Sequence, residues 1–315
     1  MNNTNKVIDI ISNPDKFEII KNTAEKSGCS VIENASLSEY TSFRTGGRCP
    51  LLVTPSNVEG LKSVIKSLNE NKVPFITLGN GSNCLAPDEG VNKVIIRIAE
   101  GLTELRLENE DTIYCGAGVK LASLCKFALD NSLSGLEFAY GIPGSCGGAV
   151  FMNAGAYGGE MKDVIFKVNH LDKNAEEGSL CKDELGLSYR TSAYQKNGCI
   201  ITGAVLKLNK GEKAEIKAKM DDLISRRKEK QPLEYPSAGS TFKRPEGYFA
   251  GALIEQCGLK GKQSGGAQVS EKHSGFIVNK GGATSTDILN LIETVKNTVL
   301  NETGVTLEPE VRILE

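Results

Sequence analysis

The residues in this chain with the most evident chemical use are its glycines. Between Tyr140 and Glu160, seven of twenty-one residues are glycine: Gly141, Gly144, Gly147, Gly148, Gly155, Gly158 and Gly159. Such density costs backbone entropy and leaves little side chain to pack. It suits main chain that must lie against something flat or anionic and turn several N–H groups toward one ligand. The neighbours are small or polar (Ser145, Ala149, Asn153, Ala154, Ala156). Phe43-Arg-Thr-Gly-Gly47, Leu78-Gly-Asn-Gly-Ser-Asn83 and Cys115-Gly-Ala-Gly118 repeat the composition. Four such loops between residues 43 and 160 need a shared reason, and a large nucleotide cofactor supplies one. Tight turns between strands are the alternative.

Two familiar nucleotide fingerprints are absent. The loop after Leu78 reads Gly-Asn-Gly-Ser-Asn-Cys84, which lacks the last glycine of GxGxxG, and an extended Val94-Ile-Ile-Arg-Ile98 follows in place of a long helix. No GxxxxGK[ST] occurs. A phosphate cradle is therefore expected from loop amides and small hydroxyls such as Ser82.

Elements must hold these loops in place. Val7, Ile10, Ile11, Phe17, Ile20 and Ala24 fall near a helical period, which predicts helix over 5–27, broken at Pro14 and capped by Gly28. Leu51–Thr54, a helix opened by Ser56 or Asn57, and Val73–Leu78 form a βαβ unit, with the Gly79–Asn83 loop at its carboxyl end. Short strands are expected at 93–98, 104–108 and 111–115, a helix at 120–131, and strands at 164–171 and 199–208. An amphipathic helix spans 211–230 and stops at Pro232; its basic run 226–230 reads as a solvated helix end. A last helix at 286–302, capped by Ser285 or Thr286 and ended by Gly304, leads to a closing strand at 307–314.

With 315 residues the chain is long enough for two domains. A net charge of −2 gives no reason to expect nucleic acid or an anionic membrane as partner. Nine cysteines, an odd number with no CxxC, read as small buried hydrophobes in a reducing cytoplasm. Two histidines and scattered cysteines make a metal site improbable. The first residues lack a signal-peptide apolar core, and no apolar run reaches the roughly 18 residues of a membrane span.

Seven motifs then fall in one order: Thr41-Ser-Phe-Arg-Thr-Gly-Gly47, Leu78–Asn83, the Tyr140–Gly158 run, Ser188-Tyr-Arg-Thr-Ser192, Ala238-Gly-Ser-Thr-Phe242, Glu271-Lys-His-Ser-Gly-Phe276 and Leu307-Glu-Pro-Glu-Val311. Together, over residues 35–313, they closely resemble the UDP-N-acetylenolpyruvoylglucosamine reductase (MurB) family, in its short second subtype. The resemblance implies an α+β protein: a two-lobed FAD-binding domain of the vanillyl-alcohol-oxidase (PCMH) type, then a C-terminal α+β substrate-binding domain. The expected boundaries are 1–34 for an N-terminal helical segment, 35–209 for the FAD domain with its lobes split near 85–90, and 210–315 for the substrate domain. It implies non-covalent FAD, NADPH as reductant, and reduction of UDP-N-acetylglucosamine enolpyruvate to UDP-N-acetylmuramate for peptidoglycan synthesis. A cytoplasmic monomer with no nucleic-acid or membrane partner is expected.

Residue by residue, the resemblance makes Ser240 the proton donor and Arg190 the cation that stabilises an enolate beside the substrate carboxylate. Glu310 becomes the third catalytic residue, holding the carboxyl end of the substrate by sharing a proton. Glu308 competes with it, because alternation puts both on one strand face. For FAD the carry-over gives Arg44, Gly46 and Gly47; then Asn80, Gly81, Ser82 and Asn83; then Ile142, Gly144, Ser145, Gly148 and Ala149. Tyr189, Lys243 and Gln268 are candidates for substrate or NADPH. Thr45, Cys84 and Cys146 stand where the family usually has aliphatic residues. Two other readings remain: another flavoprotein oxidase or dehydrogenase of this fold, and a non-catalytic nucleotide-binding sensor. Many such oxidases tether FAD to a histidine near the first glycine loop, and none lies near Arg44–Gly47.

Overall fold

The computed structural model describes residues 14–315. They divide into two compact units. The first holds the chain up to Ala35, Cys49–Asn80 and Asn92–Ile224; the second holds Ser36–Arg48, Gly81–Val91 and Ser225–Glu315.

In the first unit, helix α1 covers Pro14–Lys26. The stretch read as helical before Pro14 lies outside the described residues. Gly28, at φ +75°, ends α1 with its amide on the Glu25 carbonyl at 3.0 Å. One sheet has the order Ser30–Ser36, Arg48–Thr54, Val94–Arg97, Phe75–Leu78. The last three run parallel, with 94–97 inserted between the two strands of the expected βαβ unit. Helix α2 (Val58–Glu70) makes that crossover, and Asn57 caps it by accepting from the Gly60 amide at 2.8 Å.

The other sheet is antiparallel, in the order Glu177–Cys181, Ile165–Leu171, Ile200–Lys207, Thr112–Gly116, Leu105–Leu107. The two lobes therefore divide between residues 97 and 105, later than the expected 85–90. Strand 177–181 was not foreseen because four of its five residues are exposed, so it carries no alternating pattern. Helices α3 (Leu121–Asp130) and α4 (Cys146–Phe151) pack with this sheet into one core that includes Leu51, Ile65, Ile96, Ile113, Leu124, Val150 and Ile165.

Helix α5 (Lys213–Lys230) buries Ile216 and Met220 in that same core, and the chain stays with the first unit to Ile224. The division at 224/225 thus falls inside a helix, not at the expected 210. Just before α5, Asn209–Lys210 pairs antiparallel with Leu133–Ser134, so the chain is still tied to the first unit at the expected boundary. Arg227 is buried, so the basic run is not wholly a solvated helix end.

The second unit has a three-stranded antiparallel sheet, Gln263–Ser264, Ala267–Val269 and Ile277–Asn279, with helices α6 (Ala250–Gln256) and α7 (Ser285–Thr303). Phe43, Leu85, Phe242, Ile254, Ile288 and Val295 share its core. The closing segment pairs as strand only at Arg312–Ile313, parallel to Cys84–Leu85.

The cap of α7 is Thr284, one residue earlier than expected, in a reciprocal box with Asp287 (3.0 Å in each direction). Ser285 and Thr286 serve Asp88 instead. Its carboxylate accepts from the Ser285 amide (2.7 Å), the Thr286 amide (2.8 Å) and the Thr286 hydroxyl (2.7 Å). Burial pushes the Asp88 carboxyl up, but these donors outweigh it and hold the carboxyl below its usual value. Its contribution is therefore present above the unfolded carboxyl pKa, about 3.9, and fades as pH falls through the lower folded value. Asp88→Ala should cost about 1 kcal/mol near neutrality. The gap between parent and variant should shrink in acid, as read by urea unfolding at both pH values; a gap that widens in acid contradicts this account.

Loops 36–48 and 81–91 pack backbone to backbone. Gly81 has φ +63°, and a Cβ there would fall on the Tyr40 carbonyl oxygen, far inside contact distance. A Cβ on Gly46 would meet the Ala86 Cβ at 2.5 Å. Gly81→Ala should therefore cost about 2–3 kcal/mol. Gly158→Ala, at φ +86° with nothing within 4 Å, should cost only about 1 kcal/mol. Thermal unfolding of the pair separates the steric term from the dihedral one, and equal losses would rule out the packing explanation. All nine cysteines are free thiols, five of them buried. Among the described residues no helix is long and apolar enough to cross a membrane.

Candidate active site

In the first unit, the glycine-rich run is not loop throughout. Its middle forms α4, capped by Ser145, whose hydroxyl accepts from the Gly148 amide at 3.4 Å. The approach to α4 is fixed by the chain beside α3. Leu121 donates to Gly144 at 2.9 Å, Cys146 to Val119 at 2.8 Å and Gly147 to Ala117 at 2.8 Å. A Cβ on Gly79 would lie 3.0 Å from the Ser145 hydroxyl, so the loop after strand 75–78 sits directly against this cap. Ser145 and Ala149 are buried, Asn80, Ile142 and Gly144 half-buried, and Gly148 exposed. Backbone amides and one small hydroxyl, with no carboxylate among these residues, suit an anionic diphosphate.

Where α4 ends, the same run is tied to the turn that carries Arg190. Ser188-Tyr-Arg-Thr191 closes a two-residue turn: Ser188 N donates to Thr191 O (3.2 Å) and Thr191 N to Ser188 O (3.1 Å). Arg190 takes φ +54° inside it, a region uncommon for a residue with a Cβ. Its guanidinium carbon stands 5.1 Å from the centroid of the exposed Tyr189 ring. Asn153, itself at φ +41°, donates from its side-chain amide to Ser188 O at 2.9 Å and to Glu160 Oε2 at 2.6 Å, and accepts from Lys162 N at 2.9 Å. Ser192 Oγ donates to Phe151 O at 2.7 Å. Behind the turn, the buried Tyr194 hydroxyl lies 2.9 Å from His170 Nδ1, and burial pushes that histidine's pKa down.

In the second unit, Ser240 lies on a segment held from both sides. Thr241 N donates to Gly275 O (2.8 Å), and the Thr241 hydroxyl accepts from Ile277 N (3.0 Å). On the other side Phe242 pairs antiparallel with Pro309. Lys243 N donates to Glu308 O and Glu310 N to Thr241 O, both at 2.8 Å. Glu310 therefore stands across from the residue next to Ser240. Gly239, at φ +78° with nothing within 4 Å of a Cβ position, makes the turn into Ser240. The strand pair also separates the two glutamates. Glu308 is exposed and its carboxylate pairs with the Lys243 ammonium, whereas Glu310 is half-buried.

Several expected cofactor residues of this unit have hydrogen bonds inside it. The Gly47 amide donates to Pro87 O at 2.8 Å. Asn83 Nδ2 donates to Glu310 O at 3.1 Å, and Asn83 O accepts from Arg312 N at 3.0 Å, so Asn83 supports the Glu310 strand. Arg44 is exposed at φ +58°, Gly46 and Ser82 are half-buried, and Gly81 is buried. Gln268 lies in the middle strand of the sheet, 8% exposed, its amide donating to Gly261 O at 3.3 Å. Thr45, one of the departures, is buried with its hydroxyl 3.0 Å from that of Ser285. Burial pushes the Cys84 thiol up to about 11, with Arg312 opposing, so it stays protonated at neutral pH. Cys146 is fully buried.

Residues 50–177 match an FAD-binding domain, and residues 231–314 match the C-terminal domain of UDP-N-acetylenolpyruvoylglucosamine reductase. A relative from Clostridium novyi named UDP-N-acetylenolpyruvoylglucosamine reductase is 51% identical over 281 residues, 89% of this chain and 91% of its own. The chain belongs to the UDP-N-acetylenolpyruvoylglucosamine reductase family. A reductase of the same name from Clostridium botulinum strain Hall is 50% identical over 285 residues, 90% of this chain and 92% of its own. The crystal structure of the Thermus caldophilus reductase of this family overlays with a TM-score of 0.77 at 37% identity, covering 91% of this chain and 99% of that one. The α+β fold with an FAD-binding domain, expected from the resemblance, is borne out.

The reductase family's cofactor fits what the first unit offers: the Ser145–Gly148 cap, the Gly79 approach and the absence of a carboxylate among the expected cofactor residues there. No histidine lies near Arg44–Gly47, which suits non-covalent FAD. The Asn153 and Gln195 clamps on the Arg190 turn were missed. Asn153 stood inside the glycine run as a polar residue among small ones; Gln195 carried no signal of its own.

Proposed function

We propose that this chain catalyses the NADPH-dependent reduction of UDP-N-acetylglucosamine enolpyruvate to UDP-N-acetylmuramate, with Arg190, Ser240 and Glu310 as its catalytic residues. Bound FAD would supply the hydride chemistry, with NADPH as reductant and the terminal vinyl carbon as acceptor. The rest is protein chemistry. Hydride addition leaves negative charge on the carbon next to the substrate carboxylate, as an enolate. Arg190 offers that charge a planar cation. Ser240 gives the carbon its proton; a hydroxyl is a weak acid, but an enolate is strongly basic and a fixed geometry suffices. Glu310 holds the carboxyl end by sharing a proton, and Tyr189, Lys243 and Gln268 hold the substrate or NADPH. FAD is assigned to Arg44, Gly46, Gly47, Asn80, Gly81, Ser82, Asn83, Ile142, Gly144, Ser145, Gly148 and Ala149.

The observation that carries this reading is the pairing of 241–243 with 308–310, which sets Glu310 beside the Ser240 segment and leaves Glu308 to Lys243. The substrate domain is proposed to begin near Ser225, with loops 36–48 and 81–91 belonging to it. The proposed setting is the cytoplasm, which the nine free thiols favour, and the proposed state a monomer. An anaerobic visible spectrum tests the reaction. The flavin band should bleach with NADPH and return on adding the enolpyruvyl substrate. A band that only oxygen restores keeps the fold and removes the substrate; a colourless protein that cannot be loaded with FAD removes the cofactor.

A further inference from the structure

The turn carrying Arg190 is held by a side chain outside every motif. Gln195 Nε2 donates to the Arg190 carbonyl at 2.9 Å and to the Phe151 carbonyl at 3.0 Å. An amide nitrogen has two hydrogens, so these two bonds use its donor capacity. The Met152 sulfur stands farther off, at 3.9 Å. Phe151 is the last residue of α4, so one side chain ties the catalytic turn to the end of the helix within the glycine-rich run. The Arg190 backbone is where this matters most. A residue with a Cβ persists at φ +54° only when its surroundings over-determine it. Gln195 is itself half-buried, in a short 3-10 turn (Ala193–Gln195) that packs through Tyr194 against His170.

We propose that Gln195 is a positioning residue for Arg190: its amide fixes the Arg190 carbonyl against the end of α4 and so aims the guanidinium. The inference rests on the reading of Arg190 as the cation that meets the enolate. It assigns Gln195 no contact with substrate or cofactor. Its effect should therefore fall on the step Arg190 serves and vanish when Arg190 is gone.

The test uses the FAD-loaded full chain in anaerobic stopped flow, timing the bleach by NADPH and the substrate-dependent return separately. Gln195→Met keeps the volume and removes both donors. It should leave the bleach at the parent rate and slow the return about tenfold or more. Gln195→Glu keeps the shape but turns two acceptors on two carbonyls. Relative to the parent at each pH, it should be slow near pH 8 and recover toward pH 5.5, where a protonated carboxyl regains one donor. A merely structural role predicts no such recovery. The double variant Arg190→Ala/Gln195→Met should be no slower than Arg190→Ala alone.

A Gln195→Met return at the parent rate, beside a slow Arg190→Ala, overturns the positioning inference and leaves the functional reading intact. Losses that multiply in the double variant overturn it as well. An Arg190→Ala return at the parent rate removes the arginine assignment, and the inference with it. Should Gln195→Met fail to hold FAD, the pH profile of Gln195→Glu decides: recovery in acid sustains the inference, and a flat deficit rejects it.

Discussion

Ser240→Ala should leave the NADPH bleach intact and slow the substrate-dependent return by about 10³-fold, the range expected when a positioned proton donor is lost. The size follows from the chemistry. Once hydride has been added, the enolate needs a proton on carbon, and without a donor in place it must wait for water or revert. The substitution is also structurally mild. The segment is anchored by the Thr241 amide and hydroxyl and by the main chain of 242–243, none of which involves the Ser240 hydroxyl. A large loss in the return, with an unchanged melting temperature and FAD content, therefore reports the hydroxyl itself. A return at the parent rate removes Ser240 from proton transfer and leaves the hydride steps untouched. Slowing of both half-reactions by the same factor points to a displaced flavin instead.

The sequence was most legible where local chemistry decides structure. The Asn57 cap, glycine after α1 and α7, and the short strands from 94 to 116 all follow rules that act within a few residues. It was least legible where distant segments decide. Glycines 46, 47 and 81 read as part of a ligand wall, and the structure adds a second demand on them: loops 36–48 and 81–91 meet main chain to main chain there, and Gly47 has its amide on Pro87. Close approach to a ligand and close approach to another loop demand the same missing Cβ, so composition cannot separate them. The domain boundary failed for a related reason. Ile216 and Met220 mark a buried helix face, but nothing local says which core buries it. Gln195 was invisible because a side-chain amide after a turn becomes informative only once two carbonyls are seen within its reach.

The choice between two glutamates two residues apart gives the second large effect. Alternation alone leaves Glu308 and Glu310 on one face, and the structure separates them by burial and partner. Glu308 is exposed and pairs with Lys243, an arrangement worth about 0–1 kcal/mol at a surface. Glu310 is half-buried, with its main chain locked between Thr241 and Asn83. Glu310→Gln keeps size and hydrogen bonding but removes the proton a carboxyl can share. It should slow the substrate-dependent return by about 10²-fold with KM near the parent value. Glu310→Ala should lose both, lowering kcat and raising KM. Glu308→Gln releases Lys243 and should move KM by no more than about threefold while kcat holds. The pair is decisive because the two substitutions are chemically identical and lie two residues apart. If Glu308→Gln carries the large kcat loss and Glu310→Gln the small one, the catalytic assignment passes to Glu308. If both are mild, the carboxyl end of the substrate is held by other groups, and burial near Ser240 is not the reason this glutamate stands there.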